Sequence, residues 1–262
     1  MIRVLQMRWC QKVSQVIGFC GGDDGVGCSM LAQSAAELLA EKQPGKVLLV
    51  SASGKYGDDY ILNRDGLSMD AVRANLASGK LLPSELYPNL AREKNVRILP
   101  APRDALSASY YPEDCMNALL EAAEGFSYII IDCGSRVDYG LFISGAKAAH
   151  RRYYVLTQQE KCLRRFQYAV REVLRPLHLE GELIINKYQL SPALLTSSEI
   201  ESLTGMETAV RVPYISYGWQ AELEKATLLS CSKYAKAARR LVRKIQGQED
   251  PKWKKSLILR NT

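Results

Sequence analysis

From residue 22 the chain reads Gly22-Asp-Asp-Gly-Val-Gly-Cys-Ser29. This has the spacing of the phosphate-cradling pattern GxxxxGK[ST], with cysteine at the lysine position. A glycine-rich turn that runs straight into a helix can aim several backbone N–H groups, and the positive end of the helix dipole, at one anion. Gly22, Gly25 and Gly27 keep that backbone accessible, and Val26, Cys28 and Ser29 complete the cradle. Glycine-rich turns between strand and helix also occur without any ligand, so the spacing alone leaves both readings open. Asp23 and Asp24 bring negative charge to the same turn. Each adds about 1 kcal/mol of repulsion per charge pair at 4 Å in bulk water, and more at a partly buried site.

The elements that must hold this turn follow from the apolar pattern. Residues 13–19 form a β-branched, apolar run before the glycines, and a helical stretch covers 29–41. Further strand runs fall at 46–50, 96–99, 128–132, 152–156, 182–186 and 208–212. Helices are expected at 113–123 and 160–175, with loops at 51–67 and 100–112. Regular alternation of this kind predicts an α/β fold with a doubly wound, mostly parallel sheet flanked by helices. Ligands of such sheets sit beyond the carboxyl ends of the strands, where the glycine turn would lie.

Composition sets outer bounds. With 262 residues, 47% hydrophobic and 24% charged, the chain can bury a large core. A single domain over residues 1–247 is expected, followed by a basic tail at 248–262. The seven cysteines, Cys10, Cys20, Cys28, Cys115, Cys133, Cys162 and Cys231, are odd in number and never form a CxxC pair. They fit free thiols in a reducing compartment. No secretory signal or membrane-spanning run is visible, so a cytoplasmic protein is expected. The only histidines, His150 and His178, form no catalytic constellation with Cys28 or any other nucleophile.

Several landmarks recur in a fixed order: Gly25-Val-Gly27 with Ser29, Leu99-Pro-Ala-Pro102, Tyr128-Ile-Ile-Ile-Asp132 with Cys133-Gly134, Asn186-Lys187, and Val212-Pro-Tyr214. Over nearly its whole length the chain resembles the deviant-P-loop ATPases related to MinD and ParA, whose loop reads KGGxGK[ST]. The likeness is greatest to the TadZ/CpaE-like branch linked to pilus assembly. The resemblance implies a P-loop NTPase fold, ATP and Mg2+ as cofactors, and a homodimer. It implies that Ser29 and Asp132 serve magnesium, with Asp132 the catalytic residue of the ancestral reaction. The plain alternative for Asp132 is capping of the following turn. Asn186 and the Pro213 loop would flank the adenine, although a turn-forming role suits Asn186 equally.

Departures from that pattern bear on activity. The first lysine of the related loops, which reaches the partner's nucleotide, corresponds to Asp23, and the second, which holds the β- and γ-phosphates, corresponds to Cys28. A glycine of those loops corresponds to Asp24. The early carboxylate after the second strand is missing from 51–58, and Asp58 and Asp59 come too late to replace it. A degenerate phosphate loop with weakened ATP binding and weak or absent hydrolysis is expected. Such a chain would act as a spatial-organisation or assembly factor for a pilus or secretion apparatus. The alternative is an active ATPase of division or partitioning in which Asp23, Asp24 and Asp132 gather magnesium and dimerisation supplies the missing cations.

The net charge of +7 does not by itself select a partner. Residues 233–244 place Tyr234, Ala237, Ala238, Leu241, Val242 and Ile245 on one helical side and cations on the rest. This reads as a closing helix, or as a surface for DNA or a helical partner. The tail, with Lys252, Trp253 and Arg260, could touch anionic lipid, placing the protein peripherally at the inner face of the membrane.

Overall fold

The structure, a computed structural model, describes residues 14–55 and 67–248. The basic tail from residue 249 on, Asp58, Asp59 and Cys10 lie outside the described residues. The strands are β1 (Gln15–Gly21), β2 (Val47–Ser51), β3 (Ala91–Glu93), β4 (Val96–Leu99), β5 (Tyr128–Asp132), β6 (Arg151–Leu156), β7 (Glu182–Tyr188) and β8 (Thr208–Pro213). The helices are α1 (Cys28–Lys42), α2 (Arg73–Ala77), α3 (Pro83–Leu86), α4 (Ala105–Ala108), α5 (Met116–Ala122), α6 (Gly140–Ala148), α7 (Glu160–Ala169), α8 (Ser197–Thr204), α9 (Gly218–Leu223) and α10 (Ser232–Ile245).

One eight-stranded sheet runs in the order β3-β4-β2-β5-β1-β6-β7-β8. Every pairing is parallel except β3 with β4, which form an antiparallel hairpin at the edge. All residues of β2 and β5 are buried, as continuous apolar strands covered on both faces must be. The sheet thus has the expected doubly wound character. From β1 the chain crosses to β2 on one side, whereas β5 leads to β6 on the other. The carboxyl end of β1 therefore opens into a switch-point crevice, and the glycine turn begins there.

Two helices close this part of the fold. Helix α1 is buried along most of its length because it lies between the sheet and α10. The Ser34 and Tyr234 hydroxyls join the two helices at 3.0 Å. Helix α10 buries the expected side, Tyr234, Ala237, Ala238, Leu241, Val242 and Ile245, and turns its exposed cations outward.

Three local departures have physical causes. Strand β3, absent from the sequence expectations, is only three residues long and carries Arg92 and Glu93 at the sheet edge. It is held by a hairpin whose turn has Lys94 at φ 52. The expected helix 160–175 is α-helical only to Ala169 and continues as a π turn over Val170–Leu174. The first turn of the expected helix 113–123 is replaced by a turn before Met116, whose N–H is taken by the Ser144 hydroxyl at 2.7 Å.

The six described cysteines, five of them buried, form no disulfide, and no described helix is long and apolar enough to cross a membrane. Ile130, at the centre of β5, is fully buried between β1 and β2. Ile130→Ala should cost about 2–5 kcal/mol by loss of burial and creation of a cavity. Urea unfolding should show this as a lower midpoint with an unchanged slope.

Candidate functional site

The turn from β1 into α1 is tied to three other strand ends, two by backbone hydrogen bonds and the third by side chains. Gly21 N–H donates to Gly134 O at 2.6 Å, and Gly22 N–H donates to Val155 O at 2.9 Å. Asn186, buried at the end of β7, donates its side-chain N–H to Val26 O at 2.7 Å. Its neighbour Lys187 donates Nζ–H to Gly25 O at 2.8 Å. Gly27 caps α1 in a left-handed conformation, φ 87, and a Cβ there would lie 2.4 Å from Asn186 Nδ2. Only glycine satisfies both the backbone and the close approach. The N-terminus of α1 then opens on a pocket of about 640 Å3.

The two aspartates of the turn are compensated from outside it. Arg165 of α7 reaches Asp23, guanidinium to carboxylate, at 2.6 Å. Lys55, following β2, meets Asp24 at 2.5 Å, and the Ser135 hydroxyl also donates to Asp24. The Lys55 and Ser135 hydrogen bonds hold the Asp24 carboxyl below its usual range, partly opposed by burial. The sequence shows two anions in the turn, and the structure adds that both carboxylates are in ion pairs.

Of the expected site residues, Gly25, Val26, Gly27, Cys28, Ser29, Asn186 and Pro213 line the pocket. Gly22 does not. It packs where a Cβ would meet Leu156 of β6 at 2.1 Å and Phe166 of α7 at 3.1 Å, so its role is close packing under the loop. Asp132 also lies outside the pocket lining. It is buried, and its Oδ1 accepts the Gly134 N–H at 3.2 Å, the turn-capping arrangement. The gathering of magnesium by Asp23, Asp24 and Asp132 together finds no counterpart: no cluster of three or more metal-ligating His, Cys, Asp or Glu occurs among the described residues.

Lys55, Lys225 and the exposed Trp219, which sequence reasoning missed, line the pocket, together with Lys187 and the exposed Tyr214 from the landmark segments. Lys187 stood beside Asn186 in a recognisable pair. Arg165 and Lys55 had no local signal, since their partners lie 142 and 31 residues away.

No known family profile and no curated protein matches the sequence. Solved structures do. A ParA family ATPase from Chlorobium tepidum TLS superposes with a TM-score of 0.73 at 22% identity, covering 90% of this chain and 98% of its own. A chain of the MinC:MinD cell division protein complex of Aquifex aeolicus gives 0.72 at 18% identity, covering 91% and 98%. The septum site-determining protein MinD of Pyrococcus horikoshii OT3, complexed with Mg-ADP, gives 0.71 at 17% identity, covering 88% and 96%. The chain therefore has the fold of the MinD/ParA P-loop ATPases.

Two outcomes follow from the loop geometry. Gly27→Ala should destabilise by about 1–2 kcal/mol through its left-handed backbone, with an added clash against Asn186. In an Asn186→Ala background the clash is relieved, so denaturant titrations of the double-mutant cycle should be non-additive. For Asp24 the folded pKa is lowered, so its contribution is complete above the ordinary value of 3.8. It declines below that value and is gone once pH has fallen through the folded pKa. Asp24→Asn should lower stability at neutral pH by less than about 1 kcal/mol, because the pair is exposed and screened. Thermal melts at decreasing pH should show the two proteins converge.

Proposed function

We propose that this chain is a nucleotide-binding protein of MinD/ParA type with a degenerate phosphate loop, weak ATP binding and weak or absent hydrolysis. It acts as a spatial-organisation or assembly factor through its surfaces. The observation that carries the reading is the loop itself. Its backbone is held open toward the pocket by Asn186 and Lys187, while position 28 provides a thiol where a phosphate-holding lysine would stand.

The residues present fit a phosphate chain. The α1 N-terminus offers backbone N–H groups, and Lys55 and Lys187 line the same pocket. Bound Mg2+ would supply charge neutralisation between phosphate oxygens, with Ser29 in the lining as its protein ligand. Asp132 is the weaker part of the ancestral set, since one carboxylate oxygen is committed to the Gly134 N–H. A nucleobase would lie toward Pro213 and Tyr214, which line the pocket from the end of β8.

Support for an assembly role, of the TadZ/CpaE kind, comes from the landmark residues and the loss of loop cations. A homodimer and a protein partner from the assembly apparatus belong to this proposal, in keeping with the Aquifex MinD neighbour, which is in complex with MinC. The outward cations of α10 would provide contact with DNA or anionic membrane. The second reading, an active ATPase of cell division or DNA partitioning, draws on Lys55 and Lys187, which return positive charge to the loop.

Calorimetric titration with ATP and Mg2+, paired with a turnover assay, separates the two. Wild-type protein should bind weakly, Lys187→Ala should bind about tenfold more weakly through loss of a charged hydrogen bond, and phosphate release should stay at background with or without Asp132→Ala. Turnover that disappears in Asp132→Ala would establish the second reading instead.

A further inference from the structure

On the outer side of α7, away from the phosphate pocket, lies a second cavity of about 510 Å3. Arg164, Tyr168, Arg171 and Arg175 approach it at helical spacing from α7 and the π turn that extends it, and Leu203 and Thr204 close it from the end of α8. Gln167 fastens the two elements, donating its side-chain N–H to Leu203 O at 3.1 Å. Among the described residues, no carboxylate lines this cavity. Arg165, the neighbouring cation, is committed to Asp23 and takes no part.

We propose that this groove is a docking site for an acidic peptide segment of a partner protein. The first ground is charge. Arg175 makes no ion pair among the described residues, and its guanidinium lies against Gly205 at the end of α8. Arg164 and Arg171 form ion pairs with exposed carboxylates of their own helical run, Glu160 at 3.4 Å and Glu172 at 2.5 Å. Exposed pairs of this kind add little stability, so a partner carboxylate can take the place of either acid at small cost. Arginine forks suit such carboxylates because they bind them in a planar, two-pronged manner.

The second ground is the apolar part of the rim. Tyr168 is 62% exposed and Leu203 45% exposed. The Arg171 guanidinium already stacks 5.5 Å from the centre of the Tyr168 ring, fixing the ring as a platform for an apolar side chain. A peptide alternating acidic and apolar residues matches this surface. A nucleic-acid backbone would meet the same Glu160 and Glu172 as an acidic peptide, so it is the apolar rim at Tyr168 and Leu203 that favours the peptide.

The test uses fluorescence anisotropy of the full chain with a fluorescein-labelled peptide rich in glutamate and leucine, and with an oligothymidylate of equal charge. The wild type should bind the peptide, and Arg171→Ala/Arg175→Ala should weaken it about tenfold through loss of charge-assisted hydrogen bonds. Lys80→Ala/Arg92→Ala, at exposed positions before α3 and in β3, removes the same net charge and should leave peptide affinity within about twofold, as expected for a distant independent site. Circular dichroism melts confirm that both variants remain folded, and these side chains are all exposed. The proposal is overturned if the peptide does not bind, or if the two double variants weaken it equally. It is also overturned if the oligothymidylate binds more tightly than the peptide through Arg171 and Arg175, which would make the groove a nucleic-acid site.

Discussion

The chain must leave the middle of the sheet and enter α1 within the few residues from Gly22 to Gly27, and most of the architecture around the site serves that turn. Its backbone is tied to the ends of β5, β6 and β7 through Gly134, Val155 and the Asn186-Lys187 pair. A single strand order makes this possible, because β1 lies between β5 and β6 with β7 next in line. The turn's shape is consequently set by neighbouring strands, so its N–H groups are preorganised before any anion arrives.

Charge is arranged on different terms. Among the residues lining the pocket, Asp23, Asp24 and Glu222 are balanced by Lys55, Lys187 and Lys225. Arg165 adds its pair to Asp23 from outside the lining. A phosphate entering such a pocket meets fixed dipoles and a near-neutral set of side chains. A lysine inside the loop would instead offer an uncommitted cation directed at the phosphate. On the proposed reading such a site would recognise the geometry of a phosphate while attracting it weakly, the combination expected of binding without efficient turnover.

The legible parts of this chain were those governed by local pattern. Buried parallel strands announce themselves as runs such as Tyr128-Ile-Ile-Ile-Asp132, and α10 displays its buried side by helical spacing alone. The glycine turn was legible because backbone conformation depends on local residue type. What could not be read was long-range electrostatics: the Asp23–Arg165 pair joins residues that only the completed sheet and α7 bring together. Strand β3 was equally hidden, since three residues with two charges have no periodicity and are ordered only by pairing with β4. Asp132 was visible as a strand-end carboxylate, but whether it faced the pocket or its own turn depended on the path of Cys133 and Gly134.

The same physical logic gives a reason for cysteine at the head of α1. Position 28 is buried, with Cys28 only 7% exposed, and it lies beneath a turn already crossed by two ion pairs. A lysine there would place an ammonium near the helix N-terminus, where the dipole is unfavourable to cations unless an anion is bound. A loop of that kind reaches its comfortable state only with ligand. Cysteine removes the penalty, and Arg165 and Lys55 remove the corresponding one for the aspartates. On the proposed reading the turn would keep its structure with or without a nucleotide, and surfaces elsewhere on the protein would not be obliged to follow the occupancy of the pocket.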